Sequence, residues 1–265
     1  MKVVGILGCG WLGIPLGLDL QKKKWQVKAS RRSDQGIKLL KKNRLEYCKI
    51  EITSQNIIGN IDFFNESSCL IISLPPNRKN KSNSYVQKIR LLLKKIKPLD
   101  IKKIIFLSSI SVYGPINGVY DETTTPRPER DSAKALLSCE QEVLNHAPSS
   151  IIVRLGGLIG YDRNPIFQLQ GKLIANPEGV INFITQRDAI GGIEAILQLP
   201  IEKGGIFNLV SPHHPKRKEY YEFVAKKYAL PAPKFHEDKF IHRVINSAAI
   251  LRETTFEFKD DNLLI

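Results

Sequence analysis

Cysteine, histidine and long apolar runs are all scarce in this chain, and each scarcity closes off a class of function. The four cysteines, Cys9, Cys48, Cys69 and Cys139, lack metal-ligand spacing and sit mostly in apolar segments. Reduced thiols in a cytoplasmic protein are expected, not a disulfide framework. Among the histidines, His213 and His214 stand between Pro212 and Pro215 in a loop-like stretch, and His146, His236 and His242 show no ligand spacing with them. No metal centre is expected. No stretch approaches the roughly 20 apolar residues of a membrane span. Ile6–Cys9 (ILGC) imitates the end of a lipoprotein signal, but only Lys2 and a short apolar run precede it, less than the roughly 7–15 residues of a signal core. The G-x-S-x-G elbow of a hydrolase is absent as well.

Acidic residues are in deficit: 26 Asp and Glu face 40 Lys and Arg, for a formal charge of +14. The lysines gather in small groups, Lys22–Lys24, Lys41–Lys42, Lys94–Lys97 and Lys102–Lys103, near the expected ends and outer faces of helices. They are not interleaved with aromatics as a single-strand groove requires. The pattern reads as a solvated basic surface, and nucleic acid is not an expected partner.

What the chain does have is alternation. Lys2–Leu7, Trp25–Ala29, Leu45–Lys49, Cys69–Ser73, Lys103–Ser108 and Ile151–Leu155 are short runs rich in β-branched residues, suited to buried parallel strands. Between them Trp11–Lys23, Ser33–Lys42, Ser84–Ile96 and Asp131–Asn145 carry helical patterns. In the third, Val86, Ile89, Leu92, Leu93 and Ile96 repeat at helix spacing with lysines opposite. Right-handed βαβ crossovers follow, and with them an α/β fold: a Rossmann doubly wound parallel sheet. After Gly160 the texture changes to shorter elements: helices near Asn164–Gly171, Asp188–Leu197 and Lys216–Tyr228, and strands near Val180–Ile184 and Ile206–Val210. The expected division is a Rossmann domain over 1–160 and a smaller substrate lobe over 161–265, partly interleaved with the sheet.

The first strand runs into GCGWLG, Gly8–Gly13, and then a helix. This is G-x-G-x-x-G in the context that gives it meaning. Gly8 permits the tight turn, Gly10 lets the backbone approach a pyrophosphate, and Gly13 lets helix pack on strand. Gly8, Gly10, Trp11, Leu12 and Gly13 are therefore expected dinucleotide contacts. Cys9 is either a thiol of lowered pKa at the helix terminus or simply a small loop residue. At the end of the second strand a carboxylate would favour NAD. Ser30, Arg31 and Arg32 stand there instead, with Asp34 beyond, and arginine grips a 2′-phosphate bidentately. NADP is expected over NAD; the alternative is two solvated loop cations.

Three further segments converge at the carboxyl ends of strands: Ser73–Asn77 (SLPPN), Ser108–Gly114 (SSISVYG) and Arg154–Gly160 (RLGGLIG). Leu74, Pro75 and Ser108 join the expected cofactor contacts on that ground. FLSSISVYG, followed by DET, a proline-rich stretch and a helix, resembles the extended short-chain dehydrogenase/reductase superfamily, the NAD(P)-dependent epimerase/dehydratases. GCGWLG, RLGGLIG and GGIFNLVSPHHP resemble a narrower atypical branch, the YeeZ-type proteins. The resemblance implies a catalytic serine at Ser109, a lysine holding the nicotinamide ribose at Lys134, and Gly157 facing the nicotinamide. It also implies a tyrosine where Arg130 stands, and Leu7 replaces the usual opening glycine. A guanidinium stabilises an oxyanion but does not shuttle a proton. Proton transfer then falls to Lys134, Tyr113 or Asp131, with Ser109 as hydrogen-bond donor. Tyr113 could instead pack in its loop, and Asp131 could cap the helix. The expected activity is that of an oxidoreductase or epimerase/dehydratase-like enzyme on a small polar metabolite. A non-catalytic NADP sensor is the competing class, and a homodimer is compatible with either.

Overall fold

The computed structural model describes residues 3–76, 82–147, 149–236 and 240–264; Lys2 and Asn77, which belong to expected segments, lie outside them. The strands β1 (Val3–Leu7), β2 (Gln26–Arg31), β3 (Glu46–Ile52), β4 (Ile57–Gly59), β5 (Cys69–Ile72) and β6 (Lys103–Ser109) alternate with helices. These are α1 (Gly13–Lys22), α2 (Asp34–Lys42), α3 (Asp62–Asn65) and α4 (Ser82–Ile96), with α5 (Asp131–His146) after β6. One sheet runs in the order Gly205–Leu209, Ile151–Leu155, β6, β5, β1, β2, β3, β4. From β6 across to β3 the neighbours are parallel, and β4 closes the edge antiparallel to β3. The expected doubly wound α/β class is present.

Burial explains why these segments were readable as strands. β5 is buried at every residue, β6 up to Ser108 and β1 beyond Val3, so each presents apolar side chains on both faces. Two buried lysines of the sheet are matched. Lys103 donates its ammonium to the carbonyls of Leu199 and Pro200, and Lys28 pairs with Glu46 and Glu66. α2 starts where Ser33 accepts a hydrogen bond from the Gly36 amide at 3.2 Å, an N-cap. α4 packs on α5; its Ile89, Leu92, Leu93 and Ile96 are buried, and Arg90 forms an ion pair with Glu142 at 2.7 Å.

The described chain gathers into two compact units. The first holds residues 1–108, 128–153 and 197–206; the second holds 109–127, 154–196 and 207–265. Where the sequence reading draws one boundary at 160, the units interleave. Segment 109–127 joins the second because its strand Gly118–Tyr120 pairs parallel with Arg243–Ile245. Two more parallel pairs, Gly157–Ile159 with Phe183–Thr185 and Leu173–Ala175 with Lys234–His236, accompany a core of Ile159, Ile166, Ile181, Tyr220, Tyr221 and Val224. Expected elements shift here. The helix near 164–171 contracts to Ile166–Leu169, because Gln170 leaves helical geometry and Gly171 takes φ +67°. The strand near 180–184 begins at Phe183, since Val180 bridges to Lys216 instead.

Candidate functional site

Strand order reverses between β1 and β5, and ligands of such sheets bind in the crevice at that point. β1 ends there in the glycine turn. Gly8 has φ +85°, and a Cβ on it would lie 2.7 Å from the Ser73 carbonyl that follows β5; only glycine fits. The Gly8 amide donates to Ser30 Oγ at 3.3 Å and the Cys9 amide to the Ser30 carbonyl at 2.9 Å, which ties the turn to the end of β2. A Cβ on Gly13 would meet Cys9 Sγ and Ile6 Cγ2 at 3.2 Å, so α1 sits close on β1. Cys9 is buried, and burial pushes its thiol up to about 12 against the pull of Arg31. Of the two readings for Cys9, the small loop residue stands and the activated thiol does not, because desolvation outweighs the neighbouring cation.

Beside this turn opens a cavity of about 680 Å³. It brings together Gly8, Ser30, Arg31, Arg32, Leu74 and Pro75 of the expected cofactor set. The arginines take different postures. Arg31 folds back so that Nη1 donates to the Cys9 carbonyl at 3.4 Å, while Arg32 is exposed. Asp34, the nearest carboxylate in sequence, is turned to Lys49 at 2.7 Å; that hydrogen bond and charge hold its pKa below the ordinary value. The cavity walls also include residues the sequence reading did not name, among them Ser33, Tyr85 and Lys88. Tyr85 donates its hydroxyl to the Leu74 carbonyl at 2.6 Å and so fixes the loop after β5. A signal for it existed, since Tyr85 precedes Ile89 by one helical turn and shares its buried face.

Elsewhere in the first unit, Ser108 is buried and donates its hydroxyl to the buried Glu140. Arg130 and Lys134 are both exposed at the start of α5, and the Lys134 amide donates to the Arg130 carbonyl at 2.9 Å. The N-cap position belongs to Arg130, without a side-chain bond, and Asp131 is the first helical residue. The expected Asp131 cap is thus displaced by one position; its carboxylate still lies in the first turn, where the helix dipole favours it.

In the second unit, Ser109 Oγ accepts from the Ser111 amide at 3.2 Å and caps the short helix Ile110–Tyr113. That bond uses a lone pair and leaves the hydroxyl proton to donate. Tyr113 is fully buried. Its oxygen lies 2.9 Å from both the Asp121 carbonyl and Asn208 Oδ1, and accepts from Arg154 Nη1 at 2.9 Å. The Arg154 guanidinium also stands over the ring, 4.9 Å from its centroid. Burial raises the Tyr113 pKa more than Arg154 lowers it. The expectation of Tyr113 as a proton carrier gives way to that of an anchor, because every part of its hydroxyl is engaged and water is excluded. Gly157 starts the strand Gly157–Ile159, and a Cβ there would lie 2.4 Å from the Phe183 ring; the glycine makes room for that ring. Among the described residues no group of three or more His, Cys, Asp or Glu could hold a metal ion, and no helix is long and apolar enough to cross a membrane.

No protein-family model matches the chain. The protein YeeZ of Escherichia coli strain K12 is 32% identical over 272 residues, spanning 100% of this chain and 98% of that protein. Among solved structures, UDP-glucuronic acid 4-epimerase from Bacillus cereus in complex with NAD has a TM-score of 0.83 at 17% identity, covering 100% of this chain and 96% of that one. A short-chain dehydrogenase/reductase superfamily protein from Agrobacterium tumefaciens with bound NAD reaches 0.78 at 16%, covering 99% and 95%. At such identities these likenesses establish the fold alone, one shared with those epimerase and dehydrogenase/reductase structures. The full-length match shows the family: the chain belongs to the YeeZ family.

Proposed function

We propose that the chain binds NADP in preference to NAD and acts on a small polar metabolite by hydride transfer, as an oxidoreductase or an epimerase/dehydratase-like enzyme. The observation that carries this reading is the cavity at the β1/β5 switch point, walled by Gly8, Ser30, Arg31 and Arg32 and of a size that suits a small-molecule ligand, roughly 300–1,000 Å³. Its glycine turn fits a dinucleotide because Gly8 and Gly13 each occupy a place that a side chain would fill. A bound nicotinamide would supply the hydride chemistry. The chain's own residues would hold the 2′-phosphate through Arg31 and Arg32, hold the nicotinamide ribose through Lys134, and offer a hydroxyl proton from Ser109. Arg130 would stabilise developing negative charge without exchanging a proton.

Thermal melting with NADPH and NADH at equal concentration tests the reading, since ligand binding to the native state raises Tm. NADPH is expected to give the larger shift; equal shifts would remove the arginine argument, and no shift with either would remove the dinucleotide reading. Turnover in a metabolite panel with NADPH, slowed in Ser109→Ala, is expected of the enzyme. The exposed guanidinium in the tyrosine slot favours a second reading, a sensor that binds NADP without turnover. NADPH binding with no conversion across the panel would decide for it.

A further inference from the structure

Three helices of the first unit, α1, α2 and α4, run to one edge of the sheet, and each carries lysine in its last turn. The backbone fixes that edge. The Lys102 amide donates to the Ser68 carbonyl at 2.8 Å and the Ser68 amide to the Val3 carbonyl at 3.0 Å, and Val3 pairs with Gln26. The starts of β6, β5, β1 and β2 therefore form one row, at the opposite end of the strands from the glycine turn. Right-handed crossovers put α1 and α2 on one face of the sheet and α4 on the other. Exposed Lys22–Lys24, Lys41 and Lys42 thus flank the row on one side, and exposed Lys94 and Lys95 on the other, with exposed Lys102 in the row itself. Among the described residues at this edge acids are fewer. Asp19 pairs with Lys22 at 2.7 Å, Asp100 with Lys102, and Glu46 and Glu66 with the buried Lys28; Glu202 is exposed.

Two of the cations sit in strained backbone. Lys24 and Arg44 follow α1 and α2 with φ +62° and +55°, the left-handed position after a helix that glycine fills most readily. Their amides close the caps, Lys24 on the Gln21 carbonyl and Arg44 on the Lys41 carbonyl, both at 2.9 Å. A cation is not needed for this cap, since Ala229 takes it at φ +51° after the helix Arg217–Lys227. The helix dipole favours lysine in a last turn, but Lys102, on the sheet edge, ends no helix. We propose that this edge is a docking surface for an anionic phospholipid bilayer. A bilayer is a flat field of dispersed negative headgroups that attracts each basic residue held near it. Cations in a helix layer, a sheet edge and a second helix layer match such a plane. Duplex readout needs a helix or ribbon laid into a groove, and these helices present only their carboxyl ends. Lysine predominates over arginine, a point charge without the fork that grips one phosphate bidentately. An apolar contact lies beside them: Ile201 is 44% exposed, directly after the Leu199 and Pro200 carbonyls that accept from Lys103 at the start of β6. The assignment does not rest on the dinucleotide reading, whose cavity lies at the other end of the same strands.

Co-sedimentation of the full chain with vesicles is the test, using phosphatidylcholine mixed with phosphatidylglycerol, and phosphatidylcholine alone as the control. Binding is expected to the mixed vesicles only, and it should fade as salt is raised. Removing three charges from the edge, in Lys42→Gln/Lys94→Gln/Lys95→Gln, is expected to weaken binding about a hundredfold, or about fivefold for each lysine. Removing three charges from exposed positions of the second unit, in Lys172→Gln/Lys218→Gln/Lys226→Gln, is expected to leave binding as in wild type. Lys24→Gly should bind the mixed vesicles more weakly yet melt above wild type, because glycine takes φ +62° without strain. Equal losses in the two triple variants would reduce the effect to net charge and overturn the site. Absence of binding, equal binding to phosphatidylcholine alone, or unchanged binding in Lys24→Gly would overturn it too. Tighter binding to duplex DNA than to mixed vesicles at the same salt would assign the surface to nucleic acid instead.

Discussion

Arg31 threads between two glycines, and the space they leave decides where its charge sits. A Cβ on Gly10 would lie 2.9 Å from Nη1, and one on Gly36 would lie 2.5 Å from Nε and 2.9 Å from Cβ of the same side chain. Gly36 is thus a positioning residue for the cation proposed to hold the 2′-phosphate. Gly36→Ala should not weaken α2, since alanine is the better helix former by about 1 kcal/mol, yet it must push Arg31 off its path. The expected result is a several-fold fall in NADPH affinity with NADH affinity unchanged, measured by calorimetry. In an Arg31→Ala background the same change should do nothing further, because the two residues act through one contact. An additive loss in the double variant would refute the coupling. At this scale the spacing of the glycine turn exposed Gly8 and Gly13 directly: Gly8 takes a positive φ against the Ser73 carbonyl, and Gly13 lets α1 sit close on β1, the two places the motif itself reserves for glycine. Gly36 was invisible, since the constraint on it comes from a side chain folding back from the preceding strand.

Elements followed the same division. β1, β5 and β6 were legible because a strand covered on both faces must be apolar throughout, and such runs are conspicuous. Of the three-residue pairs of the second unit only the strand at Phe183–Thr185 was partly legible, for a strand of that length shows no period. Their partners also lie far away in the chain, as Gly118–Tyr120 and Arg243–Ile245 do. The short helix Ile110–Tyr113 belongs to neither class. It is held at one end by the Ser109 cap and at the other by the Tyr113 hydroxyl, which meets Asp121, Asn208 and Arg154. Tyr113→Phe keeps the ring and its contact with Arg154 but leaves Asn208 and Arg154 short of a buried partner. A loss of about 1–3 kcal/mol is expected in urea unfolding, with any turnover supported by Ser109 reduced in proportion to folded protein only. A specific loss of kcat in fully folded Tyr113→Phe would instead restore Tyr113 to the reaction.

Across the whole molecule, the titrating groups set a direction for stability with pH. Burial lowers the pKa of His146, assisted by Lys97, and that of His214, where His213 and His242 add to the effect and the Ile181 carbonyl opposes it. The unfolded chain therefore takes up protons at these rings near their ordinary value of 6.5, before the folded chain does. Stability contributed by the neutral rings is complete above that value and is lost as pH falls toward the folded pKa values. The carboxyls act in both directions. Asp34, Asp121 and Glu257 are lowered by hydrogen bonds and neighbouring groups, so they stabilise above their ordinary pKa values and lose that contribution on further acidification. Glu122 and Asp188 are raised, chiefly by burial; ionising them as pH rises through their folded values subtracts stability. Histidine substitutions separate the ring contribution from that of the carboxyls. Urea midpoints in phosphate-free buffer should fall from pH 7.5 to pH 6, and His214→Asn, which can keep a donor for Ile181, should flatten part of that fall. A further flattening is expected when His146→Gln is added, because the two rings share no partner. A wild-type midpoint constant over this range, or an unchanged slope in the double variant, would place the titration elsewhere.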